Sequence, residues 1–326
     1  VNATGAGAPR RTPLEALGRA TEWINSPPLT AAGLRGRVVL VDFWTYTCIN
    51  WLRTLPYLRA WIERYGGHGL VVVGVHTPEF GFEQDLRNVR PAIDELRVDY
   101  PVVVDNDYAI WTAFENHYWP AAYVADADGT IRHHQFGEGG YEEMEAVIQR
   151  LLAETGAGGF GPDPVEAQGT GVEVQADWQN LWSPENYLGF ARTENFASKD
   201  GAVLGRQHTY AAPERLQLNQ WALSGDWTMT RESVVLNEPQ GRLSCRFHAR
   251  DLHLVLESSD PIGFQVRIDG QPPVAAHGTD VDAHGDGTLD RPRLYQLLRQ
   301  PDVVADRNFE ITFARPGVRA YAFTFG

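Results

Sequence analysis

The chain has 326 residues, 43% of them hydrophobic and 21% charged, with a formal net charge of -14. That length fits two ordinary domains, and the composition is that of a globular protein. The acidic balance excludes a basic nucleic-acid-binding face and an anionic-membrane surface, and no apolar run reaches the roughly eighteen residues a bilayer span needs.

Residues 1–11 lack an apolar centre and are not read as a signal peptide. Trp23–Asn25 and Leu34–Arg37 predict a small hairpin feeding a strand over Val38–Phe43. A helix is expected from Ile49 to Tyr65, kinked at Pro56. Leu70–Val75 is a continuous apolar strand, of the kind buried on both faces. Phe82–Leu96 predicts a helix interrupted by Pro91, Val102–Val104 a short strand, and Tyr108–Asn116 a short helix. Ala121–Ala125 and Ile131–Phe136 flank Asp126-Ala127-Asp128-Gly129, a hairpin turn, and Tyr141–Leu152 is a closing helix. Strands separated by helices predict a central mixed sheet covered on both faces over 12–155.

Residues 156–172 are rich in Gly and Pro and read as a linker. Over 173–326 helical periodicity fades, and short apolar runs recur between Gly/Pro turns. An all-β jelly-roll sandwich is expected there. In its last run Tyr321, Phe323 and Phe325 would share one face.

Chemistry concentrates on Cys48. Only Cys48 and Cys245 are present, too few for a disulfide scaffold or a cysteine metal centre. Cys48 lies where the strand Val38–Phe43 turns into the next helix, a position whose unpaired amides favour a thiolate. A dithiol site would repeat cysteine three residues on, and the chain has Trp51 there. A lone thiolate can attack but cannot close its own disulfide. Arg53 would add positive field. Trp119-Pro120 precedes a strand and is a candidate cis bond. His76 and Glu79 follow the second apolar strand, where they would either handle protons or serve as polar loop residues. Thr45 and Cys48 reproduce the Thr-x-x-Cys spacing of peroxiredoxins, although Val41 replaces that pattern's proline.

The segments Phe43-Trp44-Thr45-Tyr46-Thr47-Cys48-Ile49-Asn50, Gly74-Val75-His76-Thr77-Pro78-Glu79-Phe80 and His117-Tyr118-Trp119-Pro120-Ala121 resemble the thioredoxin superfamily. Within it they are most similar to the redoxin domain of DipZ-like proteins, over roughly residues 18–155. The resemblance implies an α/β thioredoxin fold, Cys48 as nucleophile, Pro120 as cis-proline and Trp51 in the resolving position. It also implies work outside the cytoplasm beside a membrane electron-transfer domain, whereas the lack of a visible export signal points to the cytoplasm. From about Trp178 the chain resembles the carbohydrate-binding-module-like β domain of the same proteins. The carrying residues are Ser183–Gly189, Leu294–Leu297 and Pro316–Gly326.

Three readings follow. The first is a single-cysteine thiol–disulfide oxidoreductase at Cys48. Its partner thiol comes in trans from a protein or a low-molecular-weight thiol; Thr45 bonds the thiolate and Pro120 positions the substrate. The second is a one-cysteine peroxidase. The third is a redox-inactive scaffold whose β domain binds a glycan or protein through Trp178, Trp182, Trp221 or Trp227. No cofactor is expected. His133 and His134 alternate on a strand and would not share a metal. Asp280–Asp290 reads as a solvated turn before a calcium loop. Cys245 reads as a core strand cysteine before a resolving partner.

Overall fold

The computed structural model describes residues 12–199 and 201–326. The stretch 1–11, read above as no signal peptide, lies outside them. Two compact units meet at Gln168/Gly169.

In the N-terminal unit the strands are β1 (Glu22–Ile24), β2 (Val38–Trp44), β3 (Leu70–His76), β4 (Val102–Val104), β5 (Ala121–Ala125) and β6 (Ile131–Phe136). They form one sheet in the order β1-β4-β3-β2-β5-β6. β2, β3 and β4 run parallel, and β1, β5 and β6 are antiparallel to their neighbours. Every residue of β2 is buried, as a central strand covered on both faces requires. The helices are α1 (Ile49–Leu52), α2 (Leu55–Tyr65), α3 (Leu86–Glu95), α4 (Ala109–Ala113) and α5 (Tyr141–Glu154). This is a thioredoxin-like α/β fold.

Three local expectations change. The hairpin before β2 does not form: β1 pairs with β4, and Leu34–Arg37 is mostly turn. Asn25 turns to φ 66, and Pro27 and Pro28 behind it lack the amides a ladder needs. The helix expected from Ile49 to Tyr65 breaks at Arg53–Thr54, because Pro56 has no N–H to continue the α1 ladder. Thr54 closes the break, its amide and hydroxyl both bonding the Trp51 carbonyl at 2.8 and 2.7 Å. The helix expected from Phe82 starts at Leu86 instead, where Asp85 caps it by accepting the Arg87 amide at 2.9 Å. A separate 3-10 turn over Gly81–Gln84 precedes it.

The linker residues nearest the N-terminal unit are fastened to it. Phe160 packs edge-on against Tyr65, Arg64 donates to the Gly161 carbonyl at 2.8 Å, and both Glu145 oxygens accept the Val165 amide.

The C-terminal unit is all-β, a single 11-stranded sheet curled into a half-barrel. Its strands are β7 (Asn186–Tyr187), β8 (Gln207–Tyr210), β9 (Trp221–Met229), β10 (Val234–Leu236), β11 (Arg242–Phe247), β12 (Asp251–Glu257), β13 (Ile262–Ile268), β14 (Asp286–Leu289), β15 (Arg293–Arg299), β16 (Arg307–Phe313) and β17 (Arg319–Phe325). The two faces expected of a sandwich are two wings of this one sheet. β9 belongs to both: Trp221–Ser224 pairs with β11 and Trp227–Met229 with β10. Gly225 between them, at φ 95, supplies the corner. Side chains from the two wings meet in the core, as in the edge-to-face pairs Phe309–Phe323 and Phe264–Tyr295.

The shared face expected in β17 holds for Phe323 and Phe325 but not for Tyr321. The pairing with β12 slips between Val255 and Leu256, which oppose Ala322 and Ala320 and leave Tyr321 as the extra residue. This bulge returns Ala320 to the core and sends the Tyr321 hydroxyl to Glu257.

Candidate functional site

The continuous buried run Val38–Thr47 ends at Cys48, the first residue after it to reach solvent. β2 is fixed in the sheet centre, so the chain emerges at its carboxyl end. There the Cys48 amide closes a turn onto the Thr45 carbonyl at 3.2 Å. Cys48 is the N-cap of α1, and its carbonyl accepts the Leu52 amide at 3.0 Å. It is a thiol and takes no part in a disulfide.

Trp51 is fully buried. Its indole stacks on Trp44 with ring centres 4.1 Å apart, and its Nε1 donates to Asp42 Oδ2 at 2.8 Å. The place of a second thiol is therefore filled by a side chain bonded into the core. Asp42 is the one acid in the β2 run, and burial pushes its pKa up to about 7, with the Trp51 hydrogen bond opposing. Its neighbour in the adjoining strand is Gly74; a Cβ there would lie 2.8 Å from Trp44 Nε1, so only glycine admits the indole.

On the other side of the turn lies a residue the sequence reasoning missed. Glu83 is fully buried in the 3-10 turn before α3. Its Oε1 accepts the Thr47 hydroxyl at 2.5 Å, and its Oε2 accepts the amides of Glu79 and Phe80 at 2.6 and 2.9 Å. Burial raises its pKa to about 7, against the Thr45 and Thr47 hydroxyls, and the Glu79 charge adds to the rise.

The remaining expected site residues fall out as follows. Thr45 does not hydrogen-bond the sulfur: its buried hydroxyl lies on the Glu83 side and makes no bond of good geometry. The reason is that the Thr45–Thr47 turn is drawn onto the Glu83 carboxyl. Arg53 is no exposed source of field for Cys48; it is buried and ion-paired with Glu138 at 2.9 Å. Trp119-Pro120 is cis, as expected. Glu79 contributes its amide to Glu83. His76 is buried against Trp44 and Tyr46, and burial pushes it down to about 3, so it stays neutral at ordinary pH.

Elsewhere, Cys245 is a core strand residue whose thiol burial raises. Trp221 and Trp227 are core, whereas Trp178 and Trp182 are 59% and 58% exposed. Asp282 accepts the amides of His284 and Asp286, the hydrogen bonding of a turn. Among the described residues no group of three or more His, Cys, Asp or Glu is placed to hold a metal, and no helix is long and apolar enough to cross a membrane.

Comparison with known proteins matches residues 24–134 to the AhpC/TSA family and residues 183–326 to a family described as thioredoxin like C-terminal domain. The chain is 32% identical over 312 residues to protein DipZ of Mycobacterium bovis, covering 94% of this chain and 42% of that protein. It thus spans about two-fifths of that relative's length. It is 32% identical over 145 residues to the thiol-disulfide oxidoreductase YkuV of Bacillus subtilis, covering 44% of this chain and 97% of YkuV. A solution structure of a thioredoxin-like protein in the oxidised form is 33% identical, with a TM-score of 0.40, covering 44% of this chain and 97% of that one.

Proposed function

The chain belongs to the thioredoxin-like family, with an N-terminal domain of thiol–disulfide oxidoreductase type, and on that premise we propose that it exchanges disulfides through Cys48 alone. The supporting observation is the pairing of a solvent-reaching Cys48 at a helix start with Trp51 locked into the core where a second thiol would be. The first amides of α1 have no intrahelical acceptor and are available to a sulfur anion.

The Cys48 thiolate attacks one sulfur of a partner disulfide. The partner's S–S bond breaks, one sulfur stays bonded to Cys48, and the other leaves as a thiolate that takes a proton from water. A thiol from a protein or a small molecule then attacks the mixed disulfide. It leaves with the retained sulfur as a new disulfide and returns Cys48 as thiolate. The net result is an exchange: the sulfur that leaves is reduced to a thiol, the incoming thiol sulfur is oxidised into the new disulfide, and Cys48 ends as it began. Pro120 would position the substrate chain. In the C-terminal unit, Trp178 and Trp182 are the aromatics a glycan or protein ligand would meet.

A second reading is a one-cysteine peroxidase, supported by the AhpC/TSA match. The Thr45 hydroxyl, which makes no bond to the sulfur, counts against it.

Intact-mass analysis after mixing the native chain with oxidised glutathione tests the first reading. A single glutathione adduct at Cys48, absent from Cys48→Ser and released by a second thiol, is expected. An adduct that forms only after unfolding leaves the redox-inactive scaffold. Peroxide consumption with sulfenic acid at Cys48, and no glutathione adduct, transfers the site to the peroxidase.

A further inference from the structure

The turn that carries Cys48 hangs on a carboxyl group to which the exchange chemistry assigns no step. Glu83 and Thr47 are both buried, and Thr47 immediately precedes the cysteine. A carboxylate oxygen offers two lone-pair sites. On Oε2 both are taken, by the Glu79 and Phe80 amides. A proton arriving on Glu83 therefore goes to Oε1, where the Thr47 hydroxyl is already bonded. In the ionised state Thr47 is the donor. In the neutral state the proton takes the second site of Oε1, on the Thr45 side, and Thr47 then donates to an uncharged oxygen. One proton from solvent thus weakens a hydrogen bond one residue from the thiol.

Among the described residues, the groups that weigh most on Glu83 are hydroxyls, a backbone amide and another acid. Thr45 and Thr47 face it from the turn after β2, and Glu79 adds negative charge from the segment after β3. His76 on β3 is kept neutral by burial. Asp105, bonded to Thr77, is a second acid whose pKa burial raises. Arg53 is paired with Glu138. Burial raises Glu83 to about 7, so this change falls in the range where a thiol works.

Resting on the reading of Cys48 as a reactive thiol, we propose that Glu83 is a positioning residue that clasps the Thr45–Thr47 turn to the segment after β3 and couples its protonation to Cys48 through Thr47. Ionised, it holds the Thr47 hydroxyl and sets a negative charge beside the turn, which opposes a second anion on sulfur. Neutral, it loosens its hold on the hydroxyl and removes the charge. The two sites then titrate as a linked pair.

The test is the rate of Cys48 alkylation by iodoacetamide in the full native chain from about pH 5 to 9, with the modified residue located by peptide mass. The wild-type profile is expected to be broader than one titration. Glu83→Gln is expected to narrow it to one and to react roughly three- to tenfold faster near pH 8. Where Glu83→Gln does not fold, Thr47 decides. Thr47→Ser keeps the wild-type profile, and Thr47→Val, which takes a donor from the ionised carboxylate, moves the Glu83 step to higher pH. A wild-type profile that follows one titration, or a Thr47→Val profile superimposable on wild type, overturns the coupling while leaving a reactive Cys48 in place. A native Cys48 that does not alkylate at all overturns the redox reading and this proposal with it.

Discussion

Asp42 in the N-terminal unit and Asp251 in the C-terminal unit are both buried, and they are held in opposite ways. Asp42 has one neutral donor, the Trp51 indole, so desolvation prevails and its pKa climbs to about 7. At Asp251 burial also works upward. Arg299, His253 and Arg250 overcome it, the two guanidinium contacts measuring 2.5 and 2.6 Å, and the pKa is held below the usual carboxylate range. An acid clamped by cations is a permanently charged structural joint. An acid given only a neutral donor keeps a proton in play. The N-terminal unit places two such acids, Asp42 and Glu83, on the elements that flank the Cys48 turn.

The largest expected effect comes from breaking the clamped side. Asp251→Ala leaves Arg250 and Arg299 without their shared carboxylate and is expected to destabilise the C-terminal unit by about 4 kcal/mol. Hydrogen exchange of β12 and β17 amides in urea measures it. The wild-type contribution is present above the unfolded aspartate pKa and is lost only as pH falls through the lower folded value, so the loss should be constant from about pH 5 to 9. A loss that varies across that range would mean Asp251 titrates as Asp42 does.

The next effect comes from the unclamped side and has the opposite sign. A carboxyl whose folded pKa lies above its unfolded value costs stability as pH rises from the unfolded value to the folded one. For Asp42, between 3.8 and about 7, that cost accumulates to roughly 4 kcal/mol. Asp42→Asn keeps an acceptor for the indole and removes the charge, but it buries an amide NH₂ at a cost of about 2 kcal/mol. A net gain of about 2 kcal/mol above pH 7 and a flattened slope below it are expected, read from β2 and β3 amides. Unchanged pH dependence would show that Asp42 is charged and satisfied in the fold.

Much of this architecture was legible along the chain. The apolar runs of β2 and β3, the cysteine at the end of the first, the cis Pro120 and the Asp126–Gly129 turn all depend on neighbours within a few residues. The contacts that were not legible are long-range or register-dependent. Arg53 meets Glu138 across 85 residues, and Thr47 meets Glu83 across 36. Glu83 fell inside the helix expected from Phe82, which begins only at Leu86. Asp42 is a lone acid in an apolar strand, and its partner depends on how α1 turns Trp51 inward. Tyr321 broke its alternation because a bulge inserts one residue, which periodicity alone does not encode.

The smallest effect sharpens the comparison at its neutral donor. Trp51→Phe keeps most of the stack on Trp44 and removes the one hydrogen bond that favours the ionised form of Asp42. The cost should be about 1–2 kcal/mol at pH 8, where the carboxylate is charged. It should shrink as pH falls and Asp42 takes up a proton, because a neutral acid loses less with the donor. Trp182→Ala in the C-terminal unit is the control: that indole stacks on His248 at 3.8 Å but is 58% exposed and bonds only the Gln179 carbonyl. Its loss should cost about 1 kcal/mol. If Trp51→Phe costs the same at pH 5 and pH 8, the indole serves as packing alone and Asp42 is protonated throughout that range. The contrast with Asp251 would then lie in charge state at every working pH rather than in a proton that moves.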